Sequence, residues 1–255
     1  MSRKKVLAAN WKMNLSRHDV AAYMETFLSY LSPDREKILR DVQVIFALPS
    51  SFWADFTPNP RLFLSAQNVH WEARGAYTGE LSIPMLKEWQ ISHSLVGHSE
   101  RRQYFAESDE SVLKKITACV SHKITPILCV GETRAERESR QTLSVIKRQL
   151  QIALSSCKET PQNFLIAYEP VWAIGTGISA TVSEAQEVHH MIRGFLKEVW
   201  GSDAAQQVPL LYGGSATPAN ISSLIAEPDI DGALVGSASL QPEAFASMAQ
   251  ILASH

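Results

Sequence analysis

Phe164-Leu-Ile-Ala-Tyr168, then Glu169-Pro170, then Thr181-Val-Ser-Glu184, then Val208-Pro-Leu-Leu-Tyr212: this stretch carries the logic of the whole chain. Two short apolar runs without polar alternation bracket a longer segment. Such runs suit parallel strands covered on both faces, which have no solvent side to mark. Thr181-Val-Ser-Glu184 reads as a capping box that starts a helix. Behind it Ala185, Val188, Ile192 and Phe195 recur at helical spacing and form one apolar stripe. Strand, helix, parallel strand is a unit that must cross over right-handedly.

Working outward, the same unit recurs along the chain. The spacing predicts strands at Val6–Asn10, Val42–Leu48, Leu62–Ala66, His93–Val96, Ile124–Val130, Phe164–Tyr168, Val208–Tyr212 and Gly232–Val235. Between them Val20, Tyr23, Phe27 and Leu31 form a helical stripe. Val112, Ile116, Cys119 and Val120 form another, and Leu143, Ile146, Leu150 and Leu154 a third. Thr217-Pro218 and Gln241-Pro242 place proline where a first helical turn accepts it. Eight units of about 32 residues favour a closed α/β barrel of eight parallel strands over an open doubly wound sheet. No linker divides the 255 residues, so one domain over residues 1–255 is expected.

Composition narrows the function classes. With 24 Lys and Arg against 26 Asp and Glu, the net charge of −2 argues against a nucleic-acid or membrane-surface protein. The apolar run after Met1 is too short for a signal-peptide core, and no window reaches the roughly 18 apolar residues of a membrane helix. Cys119, Cys129 and Cys157 are an odd count without a C-x-x-C pair, which fits a reducing cytoplasm rather than a disulfide framework.

Barrel enzymes build their sites at the C-terminal ends of the strands. There the sequence places Asn10-Trp-Lys12, Gly97-His98-Ser99-Glu100, Glu169-Pro170, Gly213-Gly214-Ser215 and Gly236-Ser237. Each has a bland reading as a surface charge, a loop histidine or a tight turn. Together a carboxylate, an imidazole, an amine and two small-residue turns make a proton-transfer kit beside a phosphate cradle. Gly175-Thr-Gly177-Ile-Ser-Ala180 matches a dinucleotide fingerprint only formally, since it starts well after its strand. Ser215 lacks the flanking glycine of a nucleophile elbow. His189-His190, without a spaced third ligand, is read as surface, and no metal site is expected.

These strand ends resemble the triosephosphate isomerases. The carrying stretches are Ala8-Ala-Asn-Trp-Lys-Met-Asn14, Gly75-Ala-Tyr-Thr-Gly-Glu80, Val96-Gly-His-Ser-Glu-Arg-Arg102, Leu128-Cys-Val-Gly-Glu132, Ala167-Tyr-Glu-Pro-Val-Trp-Ala-Ile-Gly-Thr-Gly177 and Leu211-Tyr-Gly-Gly-Ser215. They occur in family order over nearly the whole chain.

The resemblance implies a TIM barrel that interconverts dihydroxyacetone phosphate and glyceraldehyde 3-phosphate through an enediolate, with no cofactor and no metal. It implies Glu169 as the base, His98 and Lys12 as electrophiles, Asn10 as a substrate contact and Glu100 as support beside Lys12. Amides of Gly175, Ser215, Gly236 and Ser237 would hold the phosphate. The family picture has a neutral histidine at a helix N-terminus and a lid that excludes water. Here the lid would be Pro170, Val171, Trp172, Ala173, Ile174, Gly175, Thr176 and Gly177. The resemblance also implies a homodimer in which the loop around Gly75–Gly79 enters the partner and brings Thr78 near the partner's Asn10.

Two places depart from the pattern or escape it. Ser237 stands where the family usually has a second glycine, and would be strained if the site needs positive φ. Val69-His-Trp-Glu-Ala-Arg74 has no confident counterpart. Two other readings compete: a different phosphate-binding barrel such as an epimerase, which would need a second acid–base group or a metal, and a catalytically silent scaffold, which would be expected to have lost Lys12, His98 or Glu169.

Overall fold

The computed structural model describes residues 3–56, 59–157, 163–174 and 180–255. Eight strands close on themselves in sequence order: β1 (Lys5–Asn10), β2 (Val42–Ala47), β3 (Leu62–Ala66), β4 (His93–Val96), β5 (Thr125–Val130), β6 (Leu165–Tyr168), β7 (Leu210–Tyr212) and β8 (Gly232–Val235). All pairings are parallel. The expected eight-stranded barrel is therefore present, and each strand falls within two residues of its predicted limits.

The absence of polar alternation has a direct cause. Along β1, Val6 and Ala8 join an inner cluster with Ile45, Ala47, Leu95, Ile127, Cys129, Leu165, Ala167, Leu211 and Leu234. Leu7 and Ala9 point the other way, into the layer between strands and helices. Both faces of the pleat are buried, so both must be apolar. Closure is tight where β8 meets β1: a Cβ on Gly232 would lie 1.7 Å from the Val6 carbonyl oxygen, and only glycine fits.

The helices lay their stripes on the outer face. Val20, Tyr23 and Phe27 are buried in the helix Asp19–Tyr30, and Phe27 meets Phe46 and Phe245 with centroids 5.4 and 5.6 Å away. Each such ring is worth about 1.5–3 kcal/mol of burial. The helix Val182–Trp200 begins at the expected capping box, with Thr181 and Glu184 each accepting from the other's backbone N–H. Proline opens the helix Pro242–Ser254 as read.

Two expectations need correction. Leu143 is 40% exposed, and Val145, Ile146, Gln149, Leu150 and Ala153 form the buried face of the helix Thr142–Ala153. Leu143 sits in the first turn of the helix, outside that buried face. His189 is wholly buried, edge-on to Tyr168 at 5.7 Å, with Nδ1 at 2.7 Å from the Ala185 carbonyl. It lies one turn from Ala185 and Ile192 on the apolar stripe, where its own helix partners Nδ1 and leaves Nε2 buried without a hydrogen-bond partner among the described residues. Its neighbour His190 is exposed and pairs with Asp229 at 3.0 Å.

Candidate active site

Because every strand runs the same way, their C-terminal ends share one mouth of the barrel. A cavity of about 150 Å³ opens there, lined by Asn10, Lys12, His98, Glu169, Ile174 and the turns Gly213–Thr217 and Gly236–Ala238. That is smaller than the pockets that hold drug-sized ligands and suits a metabolite of a few carbons. The structure thus brings Asn10, Lys12, His98, Glu169, Ser215, Gly236 and Ser237 together. Gly175, Thr176 and Gly177 lie outside the described residues.

Lys12 follows β1 with φ at +51°, a left-handed conformation rare for a side-chain-bearing residue. Its own backbone N–H donates to Asn10 Oδ1 at 3.0 Å, and Gln67 Nε2 donates to its carbonyl at 2.8 Å and to that of Ala47 at 3.1 Å. These bonds hold the strained residue in place. Lys12 Nζ reaches Glu100 Oε1 at 2.7 Å. Glu100 is 37% exposed at its side chain, so this pair is partly screened.

His98 caps the helix Ser99–Tyr104, and so stands at a helix N-terminus as the resemblance implied. The Glu100 N–H donates to its Nδ1 at 3.2 Å. An acceptor Nδ1 leaves Nε2 as the N–H, aimed at Glu169 Oε1 at 3.0 Å with the Asn10 amide nitrogen 3.2 Å away. Burial pulls the His98 pKa down, but the Glu169 and Glu100 carboxylates outweigh it and displace it upward, against Lys12.

Glu169 is 2% exposed at the end of β6. Its Oε2 accepts from the Ser99 N–H at 2.9 Å and Oε1 lies 3.4 Å from the Ser99 hydroxyl. Burial raises its pKa, yet His98, the Ser99 amide and Lys12 together hold it below the ordinary carboxylate value. The carboxylate therefore rests against the first turn of a helix, held there by the Ser99 N–H. Two glycines crowd it from behind. A Cβ on Gly213 would come within 2.9 Å of Glu169 Cγ, and one on Gly131 within 1.9 Å of its carbonyl oxygen.

The turns after β7 and β8 supply the other end of the cavity. Ser215 Oγ donates to the Ala173 carbonyl at 3.4 Å. Ser237 opens a short 3-10 turn, Ser237–Leu240, and is not among the residues with positive φ. The feared strain is absent, and serine fits without glycine's freedom. Val171–Ala173 likewise form a 3-10 turn after Pro170, with Ala173 buried.

Sequence reading missed two contributors. Gln67 follows β3, a strand end left out of the inventory, and the same rule would have found it. Ser99 stands in the sequence only as part of a strand-end stretch, and its role as the donor that holds Glu169 emerges from the fold. Among the described residues no three of His, Cys, Asp and Glu gather as a metal-holding group, and no helix is long and apolar enough to cross a membrane. All three cysteines are free and buried.

The loop that carries Gly75 and Thr78 is exposed. The unmatched segment before it forms its base. His70 stacks between Trp71 and Tyr77, with centroids 4.1 and 4.2 Å away, and its N–H donates to Leu81 at 2.8 Å. Beside the loop a groove of about 390 Å³ runs past Met13, Gln67, Glu80 and Phe105 to Asn10 and Lys12. Met13 is 96% exposed and Phe105 66%.

A parallel barrel whose mouth combines a buried carboxylate, an imidazole and an ammonium with small-residue turns is the framework of a barrel enzyme for acid–base chemistry on small anions. Comparison with known proteins narrows this. The triosephosphate isomerase family profile matches residues 5–252. The chain is 43% identical over 246 residues to the triosephosphate isomerase of Aquifex aeolicus, covering 96% of this chain and 98% of that one. It is 44% identical over 247 residues to that of Alkaliphilus metalliredigens, covering 95% and 97%. With that of Acetivibrio thermocellus it shares 41% over 251 residues, covering 98% and 99%. The chain belongs to the triosephosphate isomerase family.

Proposed function

We propose that the chain, acting as one domain, interconverts dihydroxyacetone phosphate and glyceraldehyde 3-phosphate, with Glu169 as the base. One observation carries the reading: the Glu169 carboxylate lies 3.0 Å from His98 in a hollow that also holds Lys12 and the Gly236-Ser237 turn.

The chemistry requires moving a proton between adjacent carbons of a three-carbon phosphate ester. A carboxylate can take it from the carbon beside the carbonyl and return it to the neighbour, since its two oxygens span both positions. The developing enediolate needs donors already in place. His98 Nε2–H, the Asn10 amide and the Lys12 ammonium face the position where its oxygens would lie.

Substrate would have to part Glu169 from Ser99 and His98. Loss of those partners leaves burial as the dominant influence on the carboxylate, so its proton affinity rises when a base is needed. The same separation removes the main upward influence on His98. Burial, the Glu100 amide and Lys12 then favour the neutral imidazole, which donates through Nε2. The phosphate would sit on amides of Ser215, Gly236 and Ser237, with Gly175 completing the cradle. Main-chain donors bind an anion without a basic cluster, consistent with a net charge of −2. Pro170–Gly177 would form the lid.

A homodimer fits the same reading. The exposed Gly75–Gly79 loop of one protomer would enter the groove beside Met13 and Phe105 of its partner, bringing Thr78 near the partner's Asn10. Sedimentation at micromolar concentration should give twice the chain mass.

The decisive experiment is a coupled assay on glyceraldehyde 3-phosphate. Glu169→Gln should cost several orders of magnitude in kcat with an unchanged melting curve, and Lys12→Met should largely abolish turnover. Near-normal turnover in Glu169→Gln would refute the base assignment, and an inactive wild type would refute the function.

A further inference from the structure

Arg137 belongs to none of the groups described so far, yet it joins three of their supports. It lies in the short helix Arg134–Glu138 after β5, which starts at a capping box of Thr133 and Glu136. Its guanidinium carbon sits 4.4 Å above the centre of the Trp172 ring. One nitrogen donates to Glu184, the capping-box glutamate of the helix Val182–Trp200. The other lies 3.6 Å from Glu132 Oε1. That same oxygen accepts from Trp172 Nε1 at 2.8 Å and from the Tyr168 hydroxyl at 3.2 Å.

Glu132 is completely buried. Burial raises its pKa, and the Trp172 and Tyr168 hydrogen bonds and the Arg137 charge oppose that rise. Without the guanidinium the carboxylate would face only neutral donors, the situation that makes a buried charge costly. Trp172 comes three residues after Glu169 and two before Ile174, which lines the cavity. Glu184 belongs to the cap that ends the same connection. One cation therefore holds the described chain on both sides of the β6-to-helix connection.

We propose that Arg137 is a positioning residue for the reaction: by stacking on Trp172 and pairing with Glu132 and Glu184, it fixes the segment that carries Glu169 and Ile174 into the cavity wall. The inference rests on the isomerase reading above. Lysine would keep the charge but lose the flat fork that stacks and bonds at once.

The test is a double-mutant cycle with two readouts. Arg137→Met should lower kcat at least tenfold and leave KM within threefold, because misplacement of a base acts on the chemical step. Arg137→Lys should fall between it and the wild type, and carries the test if Arg137→Met does not fold. In a Trp172→Leu background the further loss from Arg137→Met should shrink to less than twofold. The change in tryptophan emission caused by Arg137→Met should vanish in that background too, a signal that needs no turnover. The inference is overturned if Arg137→Met, or Arg137→Lys where Arg137→Met does not fold, keeps kcat within twofold of the wild type, or if the kcat loss is as large in the Trp172→Leu background. An inactive wild type would instead overturn the function itself, and the emission cycle would still report whether Arg137 holds Trp172.

Discussion

Gly131→Ala should disable the enzyme without removing any polar side chain of the site. A methyl group built on Gly131 falls 1.9 Å from the Glu169 carbonyl oxygen and 2.9 Å from its carbonyl carbon. Non-bonded Cβ contacts below 3.0 Å are essentially never seen, so the two backbones must part by about 1.1 Å (3.0 − 1.9). Little else can yield. Gln149 bonds both the N–H and the carbonyl of Gly131, at 2.9 and 3.0 Å. Glu169 N–H is bonded to Val130 at 2.8 Å, and Gly213 N–H to Tyr168 at 2.7 Å. Most of the displacement must therefore fall on Glu169. A misplacement of about 1 Å at a reacting group can cost on the order of 100-fold, or about 2.7 kcal/mol of activation free energy. Overpacking should lower stability by about 1–3 kcal/mol as well.

The assay is kcat by coupled turnover beside urea unfolding, with Gly194→Ala as the reference. Apart from its chain neighbours and the adjoining backbone of its own helix, nothing lies within 4 Å of the Cβ position at Gly194, which is inside the helix Val182–Trp200. Alanine there should add about 0.5–1 kcal/mol of stability and leave kcat unchanged. A Gly131→Ala enzyme with kcat within threefold of the wild type would refute the reasoning, because the site would then not depend on where β6 delivers its carboxylate.

Burial pushes the His93 pKa down to about 4, with its ring nitrogens 3.0 Å from Gln43 Nε2 and 2.7 Å from Ser92 Oγ. The unfolded chain takes up that proton first, at its ordinary value of about 6.5, so the stabilisation is present above that pH and is lost as pH falls from about 6.5 to 4. Between pH 7 and 4.5 the wild type should lose about 2–3 kcal/mol more in urea unfolding than His93→Asn does; equal losses would show that His93 is not the group responsible. Ser237→Gly should keep kcat/KM within threefold, since Ser237 needs no positive φ and its amide is retained; a tenfold change would mean that the hydroxyl, not the amide, matters.

Sequence alone determined the strands, the main helical stripes and the polar residues at the barrel mouth. Those features are periodic or local: a strand buried on both faces cannot hide its apolar run, and Thr181 with Glu184 announces its own helix. What sequence could not reach were relations between distant segments. Leu143 and His189 were misjudged because burial at the edge of a stripe depends on where the neighbouring helix ends and what stands opposite. Gln67 holding the left-handed Lys12, Ser99 holding Glu169, and Arg137 reaching both Trp172 and Glu184 are contacts across 55, 70, 35 and 47 positions of sequence. Closure of the barrel sets such distances, and no local pattern encodes them. Chemistry-bearing residue types were legible in the chain, whereas the state in which the base rests, donor by donor, was decided only by the fold.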